Sequence, residues 1–224
     1  MPSPNLRILI LSDCHGQHSP HMSREKIDLA LIAGDITDFG NEQAAERVLQ
    51  PLRMEKIPVF AISGNCDLPQ VQTYLERENM SLHCRIVPFQ NVLLCGIAYS
   101  LPCPGTTPGE ISETEFNNFL RELKSRFQTH EQDKPLIFLS HQPPFDTLAD
   151  RLHSGRHVGS RAIRWFIGQA TPLLAVCGHI HEARTVQRLD GTVLVNPGPW
   201  ARGYYAIASI YDDSVDVQLC PRCE

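Results

Sequence analysis

Short apolar runs recur along the chain of 224 residues and alternate with helical patterns. Several runs are almost continuous in Val, Ile, Leu and Ala, as is typical of strands that are covered on both faces. The runs are residues 6–12, 28–33, 58–63, 92–98, 135–140, 173–177, 192–196 and 205–211. Residues 41–54 have a helical pattern that opens on an Asn cap, and residues 112–127 have one that opens on the spacing of a capping box. The alternation predicts an α/β protein.

The last third of the chain has more strands and shorter connections. Asp190-Gly191 separates two strand-like stretches and predicts a hairpin turn. Together with the earlier pattern, this favours two packed mixed sheets with helices on the outside. Residues 100–110 are rich in Pro and Gly and predict a long surface loop near the strand ends.

Composition and charge limit the class of protein. Hydrophobic residues make up 42% of the chain and charged residues 20%, and no apolar run approaches the ~20 residues that cross a bilayer. A chain of 224 residues is long enough for one substantial core, so we expect one domain over residues 1–224. The N-terminus lacks the pattern of a signal peptide and the eight cysteines are scattered, so we expect a cytoplasmic protein with reduced thiols. The net charge of −5 argues against a surface that attracts nucleic acid or acidic membranes as a whole. The oligomeric state stays open.

Five apolar runs end in a small residue that is followed by a side chain able to bind a metal ion. These side chains are Asp13, Asp35, Asn65, His141 and His179. The loops at the carboxyl ends of strands converge in open α/β folds, so all five can meet at one point. After two of these runs, an imidazole follows the first ligand by two residues, at His15 and His181. Alternate side chains of an extended segment point the same way, so each pair can face one ion.

The donor set of two Asp, one Asn and four His favours a borderline divalent metal such as Mn, Fe, Co or Zn over Ca or Mg. Seven side chains exceed what one ion needs. Two ions ~3.5–4 Å apart that share one carboxylate would use all of them, and would lower the pKa of a water between them to roughly neutral. The sequence therefore predicts a hydrolase centre with two metal ions.

Five motifs occur in order along the chain: D-C-H (13–15), G-D-x-x-D (34–38), G-N-C-D (64–67), S-H-Q-P-P (140–144) and G-H-I-H (178–181). This pattern resembles the signature of the calcineurin-like metallophosphoesterases, from the first strand to about Trp200. The resemblance implies a four-layer α/β/β/α sandwich in which a metal-bridging hydroxide hydrolyses phosphoesters. It also implies two divalent ions, with Mn favoured, and assigns each ligand. The first ion would be held by Asp13, His15 and His181, the second by Asn65, His141 and His179, with Asp35 as the bridge.

The chain departs from the family at Cys66, where relatives usually have a histidine that is thought to protonate the leaving group or bind the phosphate. A subset of small members that act on phosphodiesters is similar in having G-N-C-D. Cys66 has three interpretations, which are a packing residue, a weak acid or phosphate contact, and a further metal ligand beyond the seven. We count Asn65 and Cys66 among the candidate catalytic residues. His157, in an Arg- and His-rich segment between two candidate ligands, is the candidate to replace the missing histidine.

The sequence thus favours hydrolysis of a small phosphodiester. A phosphomonoesterase with the same centre is the nearest alternative. A non-catalytic protein-binding scaffold of this fold is the alternative from a different class, although a scaffold has no need of a complete ligand set. We expect no membrane partner, and nucleic acid only as a nucleotide-type substrate. The C-terminal pair Cys220 and Cys223 supplies half of a zinc site and is given no function.

Overall fold

The computed structural model describes residues 4–22, 26–127 and 134–221. Its strands, in chain order, are β1 (Leu6–Leu11), β2 (Leu29–Ala33), β3 (Val59–Ile62), β4 (Ile86–Phe89), β5 (Val92–Ile97), β6 (Leu136–Ser140), β7 (Leu174–Val176), β8 (Thr185–Leu189), β9 (Thr192–Asn196), β10 (Tyr204–Ile210) and β11 (Val215–Pro221). Its α-helices are α1 (Glu42–Met54), α2 (Pro69–Arg77), α3 (Glu113–Phe127) and α4 (Arg161–Ala170).

The strands form two mixed sheets. The first has the order β11-β10-β1-β2-β3, in which β1, β2 and β3 are parallel and β10 and β11 are antiparallel additions. The second has the order β4-β5-β6-β7-β9-β8, in which the four inner strands are parallel and the two edge strands are antiparallel. Each strand that precedes a candidate ligand therefore lies in a parallel part of its sheet, where successive strands end at the same edge.

The period-two alternation of β1 shows how the layers arise. Ile8 and Ile10 belong to the core between the sheets, together with Leu139 of β6. Leu9 and Leu11 face the opposite side and belong to the core under α1 and α2. On the far face of the second sheet, Phe138 belongs to the core formed with α3 and α4. The layers are thus helix, sheet, sheet and helix, which confirms the α/β/β/α prediction.

The local signals in the sequence form the expected structures. Asn41 caps α1, since its Oδ1 accepts a hydrogen bond from the N–H of Ala44 at 3.2 Å. Ser112 Oγ accepts from the N–H of Glu115 at 3.2 Å while Glu115 accepts from the N–H of Ser112 at 2.8 Å, which confirms the capping box before α3. β8 and β9 pair as a hairpin across Asp190 and Gly191. The sequence patterns missed α2 and the two edge strands β4 and β11. β4 is only four residues long and contains a proline.

The longest helix in the described ranges, α3, has 15 residues, and no helix there is both long enough and apolar enough to cross a membrane. Cys223 lies outside the described residues, so the prediction for the Cys220 and Cys223 pair stays a prediction.

Candidate metal centre

The seven candidate ligands follow five strands whose carboxyl ends meet between the two sheets. Residues 13, 15, 35 and 65 follow β1, β2 and β3 of the first sheet, and residues 141, 179 and 181 follow β6 and β7 of the second. Four of them have left-handed backbone conformations, which are rare for residues other than glycine and cluster at functional sites. They are Asp13 with φ +52°, His15 with φ +44°, Asp35 with φ +48° and His179 with φ +68°. Four of the seven residues predicted from the strand ends therefore have a strained backbone conformation.

Close approach of the two sheets at this point depends on glycine. A Cβ on Gly34 would lie 2.4 Å from Nδ1 of His141 and 2.9 Å from the Cα of Gly64. A Cβ on Gly178 would lie 1.7 Å from Oγ of Ser12. Since real Cβ atoms do not approach so closely, the glycines before Asp35 and His179 are what let these ligand loops pack against the opposite sheet.

The first group consists of Asp13, His15 and His181. Nε2 of His181 lies 3.3 Å from Oδ1 of Asp13 and 3.3 Å from Nε2 of His15. Asp13 is 1% exposed and also accepts hydrogen bonds from the backbone N–H of His179. Burial alone raises the pKa of Asp13, but the hydrogen bond with His181 and the charge of His141 outweigh it and lower the pKa. One carboxylate and two imidazole nitrogens therefore converge on one point.

The second group is centred on His141, which is fully buried. Its Nδ1–H donates to the backbone carbonyl of Ala33 at 2.7 Å, while Nε2 lies 2.9 Å from Oδ1 of Asn65 and 3.5 Å from Oδ1 of Asp35. Burial lowers the pKa of His141, but the charge of Asp35 outweighs it and raises the pKa to about 9. A cation bound to Nε2 in place of a proton would have the same two oxygen atoms beside it, Oδ1 of Asn65 and Oδ1 of Asp35.

The ring of His179 packs edge-on against that of His141, with their centroids 5.0 Å apart. Burial, together with the positive charge of His141, lowers the pKa of His179 to about 4. His179 is therefore neutral at physiological pH, which is the form that binds metal.

Asp35 lies between the two groups and is 2% exposed. Its Oδ1 faces His141, whereas its Oδ2 lies 3.8 Å from Nε2 of His15. The backbone N–H of Cys66 donates to Oδ1 at 2.7 Å. Burial alone raises the pKa of Asp35, but His141 and this hydrogen bond hold the pKa well below its ordinary value. A buried carboxylate that stays charged and faces imidazoles on both sides suits a ligand shared by two cations.

The chemistry of these residues fits divalent metal ions. Two sets of three ligand atoms each lie within 4.8 Å of one another, Asp13 with His15 and His181, and Asp13 with Asp35 and His141. Two buried carboxylates with lowered pKa values supply negative charge, and the imidazoles supply nitrogen lone pairs directed at the same space. His141 also has the outer hydrogen bond that commonly orients a metal-binding imidazole.

Cys66 lies at the mouth of the centre. Its sulfur, one nitrogen of His15 and one carboxylate oxygen of the exposed Asp38 lie within 4.8 Å of one another. Burial and the charge of Asp35 raise the pKa of the Cys66 thiol far above its ordinary value, so the group is a thiol and not a thiolate. Its role stays a prediction.

His157 lies in a different cluster. Its Nδ1 is 2.7 Å from Oδ1 of the buried Asp150, and its Nε2 is 3.8 Å from Oδ1 of Asp146. In the described part of the chain, no hydrogen bond or ion pair joins His157 to any of the seven candidate ligands. Its assignment to the reaction also stays a prediction.

Asp67 is a residue whose role sequence reasoning missed. It is buried and accepts hydrogen bonds from the N–H groups of Gly64, Ile36 and Thr37 and from the hydroxyl of Thr37. It thereby ties the loop after β2 to the loop after β3, which carry Asp35 and Asn65. The only signal was the Asp that closes the G-N-C-D motif.

Comparison with known proteins agrees with this geometry. The model of the calcineurin-like phosphoesterase family matches residues 6–183. The chain is 31% identical over 200 residues to the uncharacterized protein MJ1162 of Methanocaldococcus jannaschii, covering 87% of this chain and 88% of that protein. It is 23% identical over 171 residues to the probable glycerophosphodiester phosphodiesterase GpdQ of Arcobacter nitrofigilis, covering 72% of this chain and 59% of that protein.

Among solved structures, TT1561 of Thermus thermophilus aligns with a TM-score of 0.70 at 16% identity, covering 95% of this chain and 98% of that one. This likeness shows a shared fold. The family match spans β1 to the second histidine of G-H-I-H, and thus all seven side chains that converge between the sheets. The chain is therefore a member of the calcineurin-like phosphoesterase family.

Proposed function

We propose that the protein is a phosphodiesterase that depends on two divalent metal ions. The observation that carries this proposal is the position of Asp35, whose two carboxylate oxygens face His141 on one side and His15 on the other. A single-ion site has no need of a charged, buried carboxylate between two groups of ligands. The relative GpdQ, which is named as a probable glycerophosphodiester phosphodiesterase, supports the proposal.

The first ion would be held by Asp13, His15 and His181, the second by Asn65, His141 and His179, and Asp35 would contact both. When bound, such ions activate a water as the nucleophile and neutralise charge on the phosphoryl oxygens, and Mn is favoured over Fe, Co and Zn. Asp13 and Asp35 keep their charge because their pKa values are lowered. His179 stays neutral because its pKa is lowered to about 4.

The residues near the leaving group favour esters that need little protonation. A thiol whose pKa is raised by burial and by Asp35 holds its proton tightly, so Cys66 is a weak general acid. His157 contacts Asp150 through Nδ1 and lies 3.8 Å from Asp146 through Nε2, and it stays a candidate for the transfer of a proton. We therefore propose that leaving groups of low pKa are hydrolysed fastest.

The charge at the mouth favours diesters over monoesters. A phosphate monoester is largely dianionic near neutral pH, since its second pKa is about 6, whereas a diester carries one negative charge. The exposed carboxylate of Asp38 clusters with Cys66 and His15 and repels a dianion about twice as strongly as a monoanion. A phosphomonoesterase with the same centre is the second candidate.

We also propose that the protein works in a reducing compartment, the cytoplasm. Cys14, Cys66, Cys84, Cys95, Cys103 and Cys177 are free thiols in the structure. Three of them, Cys14, Cys95 and Cys177, are buried, and free thiols persist where glutathione and thioredoxin keep cysteine reduced.

The experiment that tests the proposal is metal analysis combined with a paired assay. The purified protein is reconstituted with Mn, its metal content is measured, and hydrolysis of a bis-aryl phosphate is compared with that of a mono-aryl phosphate. Two metal ions per chain and faster turnover of the diester are expected. Less than one metal ion per chain with no turnover of either ester would refute the enzyme and support a protein-binding scaffold. Faster turnover of the monoester would favour the phosphomonoesterase.

A further inference from the structure

The loop of residues 100–110 contacts two of the residues proposed to hold the second ion. Thr107 Oγ1 lies 3.1 Å from Nδ2 of Asn65, and Sγ of Cys103 lies 3.9 Å from Nε2 of His179. The N–H of Gly109 donates to the backbone carbonyl of Asn65 at 3.0 Å. The loop that the sequence placed at the surface near the strand ends therefore packs directly against the candidate metal centre.

Thr107 fixes which end of the Asn65 amide faces the centre. The Thr107 hydroxyl donates to Oε1 of Glu110 at 2.7 Å, so its oxygen has a lone pair for the NH₂ group of Asn65. With Nδ2 committed to Thr107, the Asn65 Oδ1 is directed at Nε2 of His141, 2.9 Å away. A rotation of the amide by 180° would place Oδ1 against the Thr107 oxygen, whose proton is already donated to Glu110, and would lose the contact with Thr107.

Glu110 holds Thr107 in place. Its Oε1 accepts from the backbone N–H of Thr107 at 2.8 Å and from that of Cys103 at 3.3 Å, in addition to the Thr107 hydroxyl. Burial alone raises the pKa of Glu110, but these hydrogen bonds outweigh it and lower the pKa. A carboxylate that stays charged thus organises the loop from within.

Cys103 selects the nitrogen of His179 that is left for a metal ion. The thiol is 3.3 Å from the carbonyl of Leu101, to which S–H can donate, and its sulfur lies 3.4 Å from Oγ of Ser100 and 3.9 Å from Nε2 of His179. Because Nε2 of His179 faces this sulfur, Nδ1 is the nitrogen left for a metal ion.

The loop is anchored at both ends and is closely packed at Gly109. Ser100 N–H donates to the carbonyl of Gly109 at 3.0 Å, and Tyr99 N–H donates to that of Ser63 at 3.0 Å. A Cβ on Gly109 would lie 2.3 Å from the carbonyl oxygen of Gly64. The position of the loop relative to Asn65 is therefore fixed by backbone contacts, and Thr107 and Cys103 are held where they act.

We propose that Thr107 and Cys103 are positioning residues for the second metal ion, with Glu110 acting through Thr107. The inference rests on the proposed two-ion centre. In the described part of the chain, no hydrogen bond or ion pair joins this loop to Asp13, His15 or His181. The loop accordingly tunes the affinity of the second ion and leaves the first ion unaffected.

The test is the binding of Mn to Thr107→Val and Cys103→Ala, measured by equilibrium dialysis with metal analysis. Each variant should keep one ion at wild-type affinity and bind the other about 10–100-fold more weakly, the usual effect of losing an outer hydrogen bond of a metal ligand. Thr107→Ser should restore the wild-type affinity because it keeps the hydroxyl. Thr73→Val is the matched control, since the Thr73 hydroxyl donates only within α2 and is exposed.

The outcomes separate the two proposals. Wild-type protein that binds less than one ion refutes the two-ion centre itself. Wild-type protein with two ions, and variants that also bind two at the same affinity, would overturn the role of the loop and leave the two-ion centre intact. Equal weakening of both ions in Thr107→Val, with Thr107→Ser no better, would also overturn it, because the loop would then act on the whole fold.

Discussion

Replacement of Asp35 by Asn tests the proposed centre most directly. The change keeps the size of the side chain and an oxygen that can accept the N–H of Cys66, but it removes the negative charge between the two groups of ligands. Asp35 Oδ1 lies 3.5 Å from Nε2 of His141 and Oδ2 lies 3.8 Å from Nε2 of His15. The lost charge therefore acts on both sides at a separation close to 4 Å.

The size of the effect follows from this separation. Two unit charges at about 4 Å and an effective dielectric constant of about 20 interact by about 4 kcal/mol, which corresponds to roughly a thousandfold change in affinity. The loss of attraction would be larger for a divalent ion than for a unit charge. We expect binding of Mn to weaken by at least about 10³-fold, with a comparable fall in kcat/KM for a bis-aryl phosphate at fixed metal concentration.

The assay is metal titration monitored by both bound metal and hydrolysis. Asp212→Asn is the matched control, because Asp212 accepts a hydrogen bond from Asn5 at the surface. Asn5 precedes β1, whereas the candidate ligand Asp13 follows the opposite end of that strand. The control should bind two ions and keep wild-type kcat/KM. If Asp35→Asn bound both ions within tenfold of wild type, Asp35 would not be shared between two cations.

Four further changes have expected results. Cys66→Ala should leave turnover of an activated aryl diester nearly unchanged, because that leaving group needs no proton; a loss as large as that of Asp35→Asn would contradict this. His157→Ala should lower turnover without reducing bound metal, and unchanged turnover would exclude His157 from the reaction. Asp38→Asn should raise the rate on mono-aryl relative to bis-aryl phosphate by relieving repulsion of the dianion, which the paired assay measures. His83 is half-buried and desolvation lowers its pKa, so the folded state resists its protonation and stability falls as pH drops through the unfolded pKa of about 6.5. Urea unfolding at pH 7.5 and 5.5 should show a fall that is smaller in His83→Asn by at most about 1.4 kcal/mol.

The sequence was sufficient to predict the layers of the fold and the convergence of the candidate ligands. The reason is local, because a buried strand, a small residue and a metal-binding side chain are adjacent in the chain at all five strand ends. The family match is consistent with that prediction. Which ion each side chain binds is still a proposal.

Other contacts could not be predicted because they depend on the tertiary fold. Thr107 is 42 residues from the Asn65 that it orients, and Cys103 is 76 residues from His179. Neither contact joins residues at a regular spacing in the sequence, so no sequence pattern could predict it. The edge strand β4 was missed for a different reason, since it is only four residues long, contains Pro88 and is partly exposed.

The division of the candidate ligands between the two sheets makes the centre a cross-link as well as a site of chemistry. Asp13 and His15 leave the first sheet and His181 leaves the second, and the other group is likewise split between Asn65 and the two histidines at 141 and 179. An ion in either position would therefore join the two halves of the sandwich, and would do so only in the folded state. At a free metal concentration 100 times the dissociation constant, each ion would add about 2.7 kcal/mol to the free energy of unfolding. Chelation should accordingly lower Tm as well as activity. The supply of metal would therefore affect both the stability of the protein and its rate of hydrolysis.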